Sequence, residues 1–100
     1  MDIVYNYDEI DFVWNSEKAI RNLKNHKISF EIACEVFFDR MLLVENAGIV
    51  EGEQREAIIG LTIDWKLLYV VYVMRDNDVR IISARFVTKD ERKRYENART

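Results

Sequence analysis

Four groups of side chains in this sequence have the types and spacing for chemistry on a charged substrate. Arg55 opens an isoleucine-rich run and follows Glu53 by two residues. Arg80 and Arg85 stand in one apolar stretch, Lys24 shortly precedes His26, and Arg92-Lys93-Arg94 runs into Tyr95. Arginine presents a planar fork of donors that fits the oxygens of a phosphate. A carboxylate beside it can act as a base or orient it, and histidine passes protons near neutral pH. Each group also has a plainer reading. Glu53 and Arg55 can be a rim ion pair worth about 0–1 kcal/mol. His26 can be a helix-end imidazole bonded to a carbonyl, favoured by the helix dipole when charged. The C-terminal bases can be a solvated helix face offset by Glu91 and Glu96. Cys34, among apolar positions, reads as a small buried hydrophobe.

Composition narrows the chemistry. The chain has 100 residues, 49% of them hydrophobic, which suits a single domain over 1–100 with its own core. Proline is absent and glycine occurs three times, so a collagen-like or Pro/Gly-rich disordered chain is excluded. One cysteine rules out an internal disulfide and a multi-cysteine zinc site, and one histidine rules out a His–His metal pair. Neither metal nor cofactor is expected. The longest apolar run, Leu67 to Met74, is far short of the ~20 residues that cross a bilayer as a helix. Met1-Asp2-Ile3-Val4-Tyr5 lacks the basic start of a signal peptide. The expectation is a reduced, cytoplasmic domain without membrane contact.

The net charge of −3 conceals segments of opposite sign. Residues 1–15 carry Asp2, Asp8, Glu9 and Asp11 and no base. Residues 16–27 and 75–100 are each net basic, and residues 28–65 between them are acidic. A net-acidic chain does not coat DNA, but the two basic segments can form one positive patch if folding joins them.

Periodicity supplies the elements that must position these groups. Phe12-Val13-Trp14 reads as a short strand, and Asn15 or Ser16 caps a helix running to about His26. Ala19 and Leu23 form its apolar side, with Ile20 beside them and Asn22 elsewhere. Ser29 caps a second helix, with Phe30, Ala33, Cys34, Phe37 and Phe38 at helical spacing. Met41–Val44 is a strand, Asn46–Glu53 a polar loop and Arg55–Ile63 a strand. Trp65–Arg75 is a strand apolar on both sides, and therefore central. Asp76-Asn77 turns the chain into a strand over Val79–Val87. Thr88 caps a charged helix from about Lys89 to Glu96, with Glu91 placed for a capping box. The order β-α-α-β-β-β-β-α predicts an α+β fold rather than a parallel α/β sheet.

Several of these pieces, in order, resemble the BrnT toxins of the BrnT–BrnA toxin–antitoxin systems. They are Phe12-x-Trp14, Lys18-Ala19 followed by Asn22 and Lys24-x-His26, Ser29-Phe30-Glu31-x-Ala33, and Val36-Phe37-x-Asp39. Gly52-Glu53-x-Arg55 and Ile59-Gly60 come next, then Arg80-Ile81-Ile82-Ser83-Ala84-Arg85 and Glu91-Arg92-x-x-Tyr95. Three positions depart from the pattern: Asn15 replaces Asp, Lys27 replaces Gly and Arg40 replaces Pro. The second and third alter turns. The resemblance implies a RelE-like fold, a small twisted antiparallel sheet with helices packed against it. It also implies a ribonuclease that arrests translation and is neutralised by a cognate antitoxin. The alternative is a non-catalytic RNA- or antitoxin-binding module that has lost cleavage.

Metal-independent RNA cleavage requires loss of the 2′-oxygen proton, stabilisation of the phosphate's added charge and protonation of the 5′-oxygen. Given the resemblance, Arg55, Arg80, Glu53 and His26 are the expected catalytic groups. Lys24, Arg85, Arg92, Arg94 and Tyr95 are the expected RNA contacts, with Tyr95 stacking on a base. Strand alternation puts Arg80 and Arg85 on opposite faces unless a bulge intervenes. Arg80, nearer the turn, is then the one facing substrate.

The implied partner is a BrnA-like antitoxin with a ribbon-helix-helix DNA-binding domain, in an assembly that can reach 2:2. Operator DNA would be met only through that complex. The antitoxin is expected to cover a groove lined by Lys24, Arg55, Arg80 and Arg92–Arg94, with Tyr5, Tyr7 and Phe12 on a separate acidic surface.

Overall fold

In a computed structural model of the chain, which describes residues 1–98, Asp2–Tyr7 and Ile10–Asn15 fold back on each other as antiparallel strands β1 and β2. Asp8 and Glu9 between them both have positive φ, at 51° and 69°. That primed turn matches the twist of a two-residue hairpin. The N-terminus is therefore not a separate acidic surface. Tyr5 and Tyr7 alternate inward onto the core, where Tyr5 tilts against Trp14 with ring centroids 5.6 Å apart.

The remaining strands are β3 (Leu43–Val50), β4 (Glu53–Leu61), β5 (Leu67–Arg75) and β6 (Asp78–Phe86). They form an antiparallel meander, and β6 returns to pair in parallel with β2 at Phe12 and Val13. The single sheet has the order β1-β2-β6-β5-β4-β3. The α+β class, with helices packed on a small, mostly antiparallel sheet, is as expected; the first strand and the one parallel pair are additions. Asn46–Glu53 is not a loop. It is most of β3, bulged at Ala47-Gly48, and a tight turn at Glu51-Gly52. β4 and β5 end and start earlier or later than expected, because Thr62–Lys66 forms a turn with Trp65 at a φ of 64°. Trp65 is thus 81% exposed rather than part of a strand.

One sheet face is covered by helix α1 (Ser16–His26) and the short helix α2 (Phe30–Ala33). The second helix stops early because Cys34–Phe38 tightens into a 3-10 turn. Rings knit the two layers: Trp14 to Phe30 at 5.7 Å, Phe12 to Phe37 at 5.1 Å and Phe37 to Tyr72 at 5.0 Å between centroids. Gly60 lets the 3-10 turn sit on β4, since a Cβ there would lie 3.0 Å from both Cβ and the carbonyl oxygen of Val36. Cys34 is buried, and burial pushes its thiol up to about 12, so it is inert packing.

The caps fall where the residue types predict. Asn15 Oδ1 accepts from the amides of Glu17 and Lys18, and Ser29 Oγ from that of Ile32. Lys27, despite its side chain, takes the left-handed cap itself (φ 62°) and donates its amide to Leu23. The buried side of α1 is not the one its apolar residues suggested. Ile20 and Leu23 are exposed, and Asn22 is buried. Asn22 Nδ2 donates to the carbonyls of Ile28 and Ala84, and its Oδ1 accepts from the Ala84 amide. This amide pairs with β6 as a neighbouring strand would.

The last helix, α3 (Lys89–Asn97), lies against β4 on the opposite sheet face, where Tyr95 packs with Ile59 and Leu67. Its Thr88–Glu91 capping box is formed. Glu91 also receives both guanidinium nitrogens of Arg85 at 2.8 Å. No helix among the described residues is long and apolar enough to cross a membrane.

Two stability predictions follow from this packing. Gly60→Ala should destabilise the fold by about 1–3 kcal/mol, because the Val36 backbone cannot yield. Urea unfolding should show a lower midpoint with an unchanged slope. The Arg85 hydrogen bonds, aided by the Thr88 amide, hold the Glu91 carboxyl down to about 2 from an ordinary 4.5. Its stabilisation is therefore complete above the ordinary value and lost as pH falls through the folded one. Glu91→Gln should lower stability at pH 7 by on the order of 3 kcal/mol and flatten the acid loss between those two values, read from unfolding curves at stepped pH.

Candidate functional site

The register of β6 decides which side chains meet. Val71 lies opposite Ser83 and Tyr72 opposite Ile81, so Ile82 is an extra residue in the ladder. This bulge resets the alternation. Arg80 pairs with Val73 and Arg85 with Tyr69, and Tyr69 and Val73 share one side of β5. Arg80 and Arg85 therefore point to the same face, against the expectation from simple alternation. On β4 the register Ala57–Val71 and Ile59–Tyr69 puts Arg55 and Glu53 on that face too. Continued past Glu56–Tyr72, it places Arg55 across from Val73. Val13, Arg80, Val73 and Arg55 thus form a row across the sheet. The backbones of Arg55 and Arg80 are two strand spacings apart, roughly 10 Å. Two long guanidinium side chains can reach one phosphate across that gap.

This face is the one left largely open, with α3 at its β3–β4 side. Of its arginines, three are held by carboxylates. Arg75 donates to Glu53 at 2.6 and 2.8 Å, Arg80 to Asp2 at 2.7 and 3.4 Å, and Arg85 to Glu91. The Arg75 hydrogen bond holds the Glu53 carboxyl below its usual range, and the Arg80 hydrogen bond does the same to Asp2. Arg85 also stacks 4.2 Å from the Tyr69 ring centroid. Arg55 differs: its Nε is buried without a hydrogen-bond partner among the described residues. A buried donor left unpaired costs free energy, which sets Arg55 apart from its neighbours on the face.

The other expected site residues are elsewhere. Lys24 and His26 are exposed on α1. His26 lines a hollow of about 260 Å³ with Lys18, Arg21, Asn22, Asn25 and the bulged Ile82, and none of the arginines of the open face lines it. Folding therefore does not merge the two basic segments. Tyr95 cannot stack on a base. It is buried, and its hydroxyl donates to Asp39 Oδ2. Arg92 is exposed on α3, and Arg94 is tied to Glu45. Glu53 meets Arg75 more closely than Arg55, and Arg85 is a strut for α3 more than a free contact.

Arg75, Tyr69 and Asp2 belong to the face and were not among the expected site residues. Arg75 and Tyr69 were accessible from the sequence, because odd positions from Leu67 to Arg75 share one side of a strand. Asp2 had no local signal, since its partner lies 78 residues away.

Comparison with known proteins bears on the whole arrangement. No curated protein sequence matches the chain. A similar solved structure is the 1.1 Å crystal structure of the Brucella abortus ribonuclease toxin BrnT. It has a TM-score of 0.51 at 16% identity, over 76% of this chain and 94% of that one, which establishes a shared fold. The family model described as the ribonuclease toxin BrnT of type II toxin–antitoxin systems matches residues 14–91, from Trp14 at the end of β2 to Glu91 in α3. The chain belongs to the BrnT family, the ribonuclease toxins of type II toxin–antitoxin systems.

Proposed function

We propose that this toxin cleaves RNA on the open sheet face without a metal ion, and thereby arrests translation. The observation that carries the proposal is the row formed by Arg55 and Arg80, the first with an unpaired buried nitrogen. In this reading the scissile phosphate lies between the two guanidiniums, which take up the charge that develops as the 2′-oxygen attacks and the P–O5′ bond breaks, and the leaving 5′-oxygen takes its proton from solvent water. Arg75, aligned by Glu53, and Arg85, aligned by Glu91, flank the phosphate and draw in the backbone on either side. Glu53 orients Arg75 and is the β4 carboxylate on the same face as Arg55, so in this reading it receives the 2′-hydroxyl proton once the incoming backbone draws Arg75 away. In this reading charge stabilisation comes from arginine.

The partner in this reading is a BrnA-like antitoxin with a ribbon-helix-helix domain, forming a 2:2 complex that meets operator DNA. It works in the cytoplasm and covers the arginine face. Acidic side chains would speed recognition of that face, and apolar anchors would hold it.

Arg55→Ala and Arg80→Ala should each lower single-turnover RNA cleavage by about 10²–10³-fold with the fold intact. His26→Ala, off this face, should change it little. Cleavage should persist in chelator; complete loss restored by magnesium would end the metal-free mechanism. Arg80→Glu should weaken cleavage and antitoxin association together, measured by a titration at two salt concentrations. Unchanged association with abolished cleavage would place the antitoxin on another surface.

A further inference from the structure

Arg80 does not lean toward Arg55. Its guanidinium reaches the other way, across β2, to the carboxylate of Asp2 on β1. The arginine side chain is only 20% exposed, whereas that of Asp2 is 53% exposed. Asp2 is fixed by more than this contact. It opens a six-residue strand paired along its whole length with β2, and the Met1 carbonyl accepts from the Ser16 amide at 2.8 Å. The carboxylate is thus an anion tethered at a set position on the substrate face. Asp2 also lies outside residues 14–91, the part of the chain matched to the family.

A carboxylate bound by two guanidinium nitrogens occupies the same donors that a phosphate would take. Both anions cannot use Arg80 in this way at once. We propose that Asp2 is an internal competitor for the substrate phosphate: it parks Arg80 away from Arg55, and RNA binding displaces it so that the two arginines close on one phosphate. This rests on the assignment of RNA cleavage to the arginine face. A tethered competitor reduces apparent affinity by the fraction of molecules in which the site is free. The ion pair is exposed on the aspartate side, so the effect is modest and the carboxylate yields to a well-placed phosphate. Asp2 is a specificity-determining residue here, because it sets how strongly an anion must bind to claim Arg80. It takes no part in the chemical step.

The test uses the full chain and one oligoribonucleotide of mixed sequence, with its 2′-O-methyl form as an uncleavable probe. Asp2→Asn should tighten probe binding about three- to ten-fold by fluorescence anisotropy and lower KM by a similar factor, leaving kcat unchanged. Asp8→Asn removes the same charge at the far end of the β1–β2 hairpin and should do neither. In an Arg80→Ala background, Asp2→Asn should have no effect. The proposal is overturned if Asp2→Asn leaves binding unchanged, or lowers kcat, which would make Asp2 a positioning group for Arg80. It is equally overturned if Asp8→Asn matches it, or if the gain survives without Arg80. Arg80→Ala that binds and cleaves RNA like the parent protein would instead remove the face assignment itself, and this inference with it.

Discussion

One side-chain amide and one extra residue set the geometry of this molecule. β6 pairs with β2 only near its start, at Val79 and Arg80, so its outer edge would be bare further along. Asn22 fills that edge at Ala84, donating to the carbonyl and accepting from the amide. Two residues before, Ile82 is the bulge. Their combination holds Ala84 in the helix-covered core and turns Arg85 out to the open face. If Ile82 took part in regular alternation instead of bulging, the strand beyond it would invert: Arg85 would enter a core of Leu68, Val70 and Tyr72, and Ala84 would leave it. An unpaired guanidinium there would cost several kcal/mol, so the bulge and the charge pattern of β6 are one feature.

The open face shows how a net-acidic protein maintains a cationic surface. Arginines crowded on neighbouring strands repel one another and lose hydration. Carboxylates relieve this locally: Glu53 from the same face for Arg75, Asp2 from the edge hairpin for Arg80, Glu91 from α3 for Arg85. Each pair fixes a long side chain in one geometry while leaving part of it to solvent. The gain in folding energy from the more exposed pairs is small. Their larger effect is to hold each guanidinium in one place on the face. Arg55 sits beside the Glu53–Arg75 pair, and among the described residues no carboxylate holds it.

Family membership accounts for the core of this arrangement, since the matched residues run from Trp14 to Glu91 and include both α1 and the bulged strand. The shared fold at 16% identity with the Brucella toxin is carried by pattern and packing rather than by residue identity. Lys27 illustrates the tolerance. A glycine favours the left-handed cap of α1, but a lysine holds it at about 1 kcal/mol of strain and keeps the amide bond to Leu23. The β1 strand is different in kind. It lies outside the matched segment, closes the free side of β2, and introduces a carboxylate onto the arginine face.

The sequence by itself determined what depends on near neighbours. Helix α1 runs from Ser16 to His26 and is capped by Asn15; Thr88 and Glu91 form their capping box; Asp76-Asn77 turns β5 into β6. These are contacts within a few residues, for which residue type is sufficient. The same holds for the family, whose motifs are short strings in a fixed order. The tertiary structure decided everything that depends on register and on pairing between distant segments. Periodicity marked Leu23 as core and Asn22 as surface, because it measures hydrophobicity and cannot see that a strand edge needs an amide. Tyr95 was expected at the RNA, but packing against Ile59 and a hydroxyl bond to Asp39 take it into the core. Arg80 and Arg85 reached one face only because a single residue was inserted between them in the ladder. Whether a strand bulges is set by its partners, and those partners lie far along the chain.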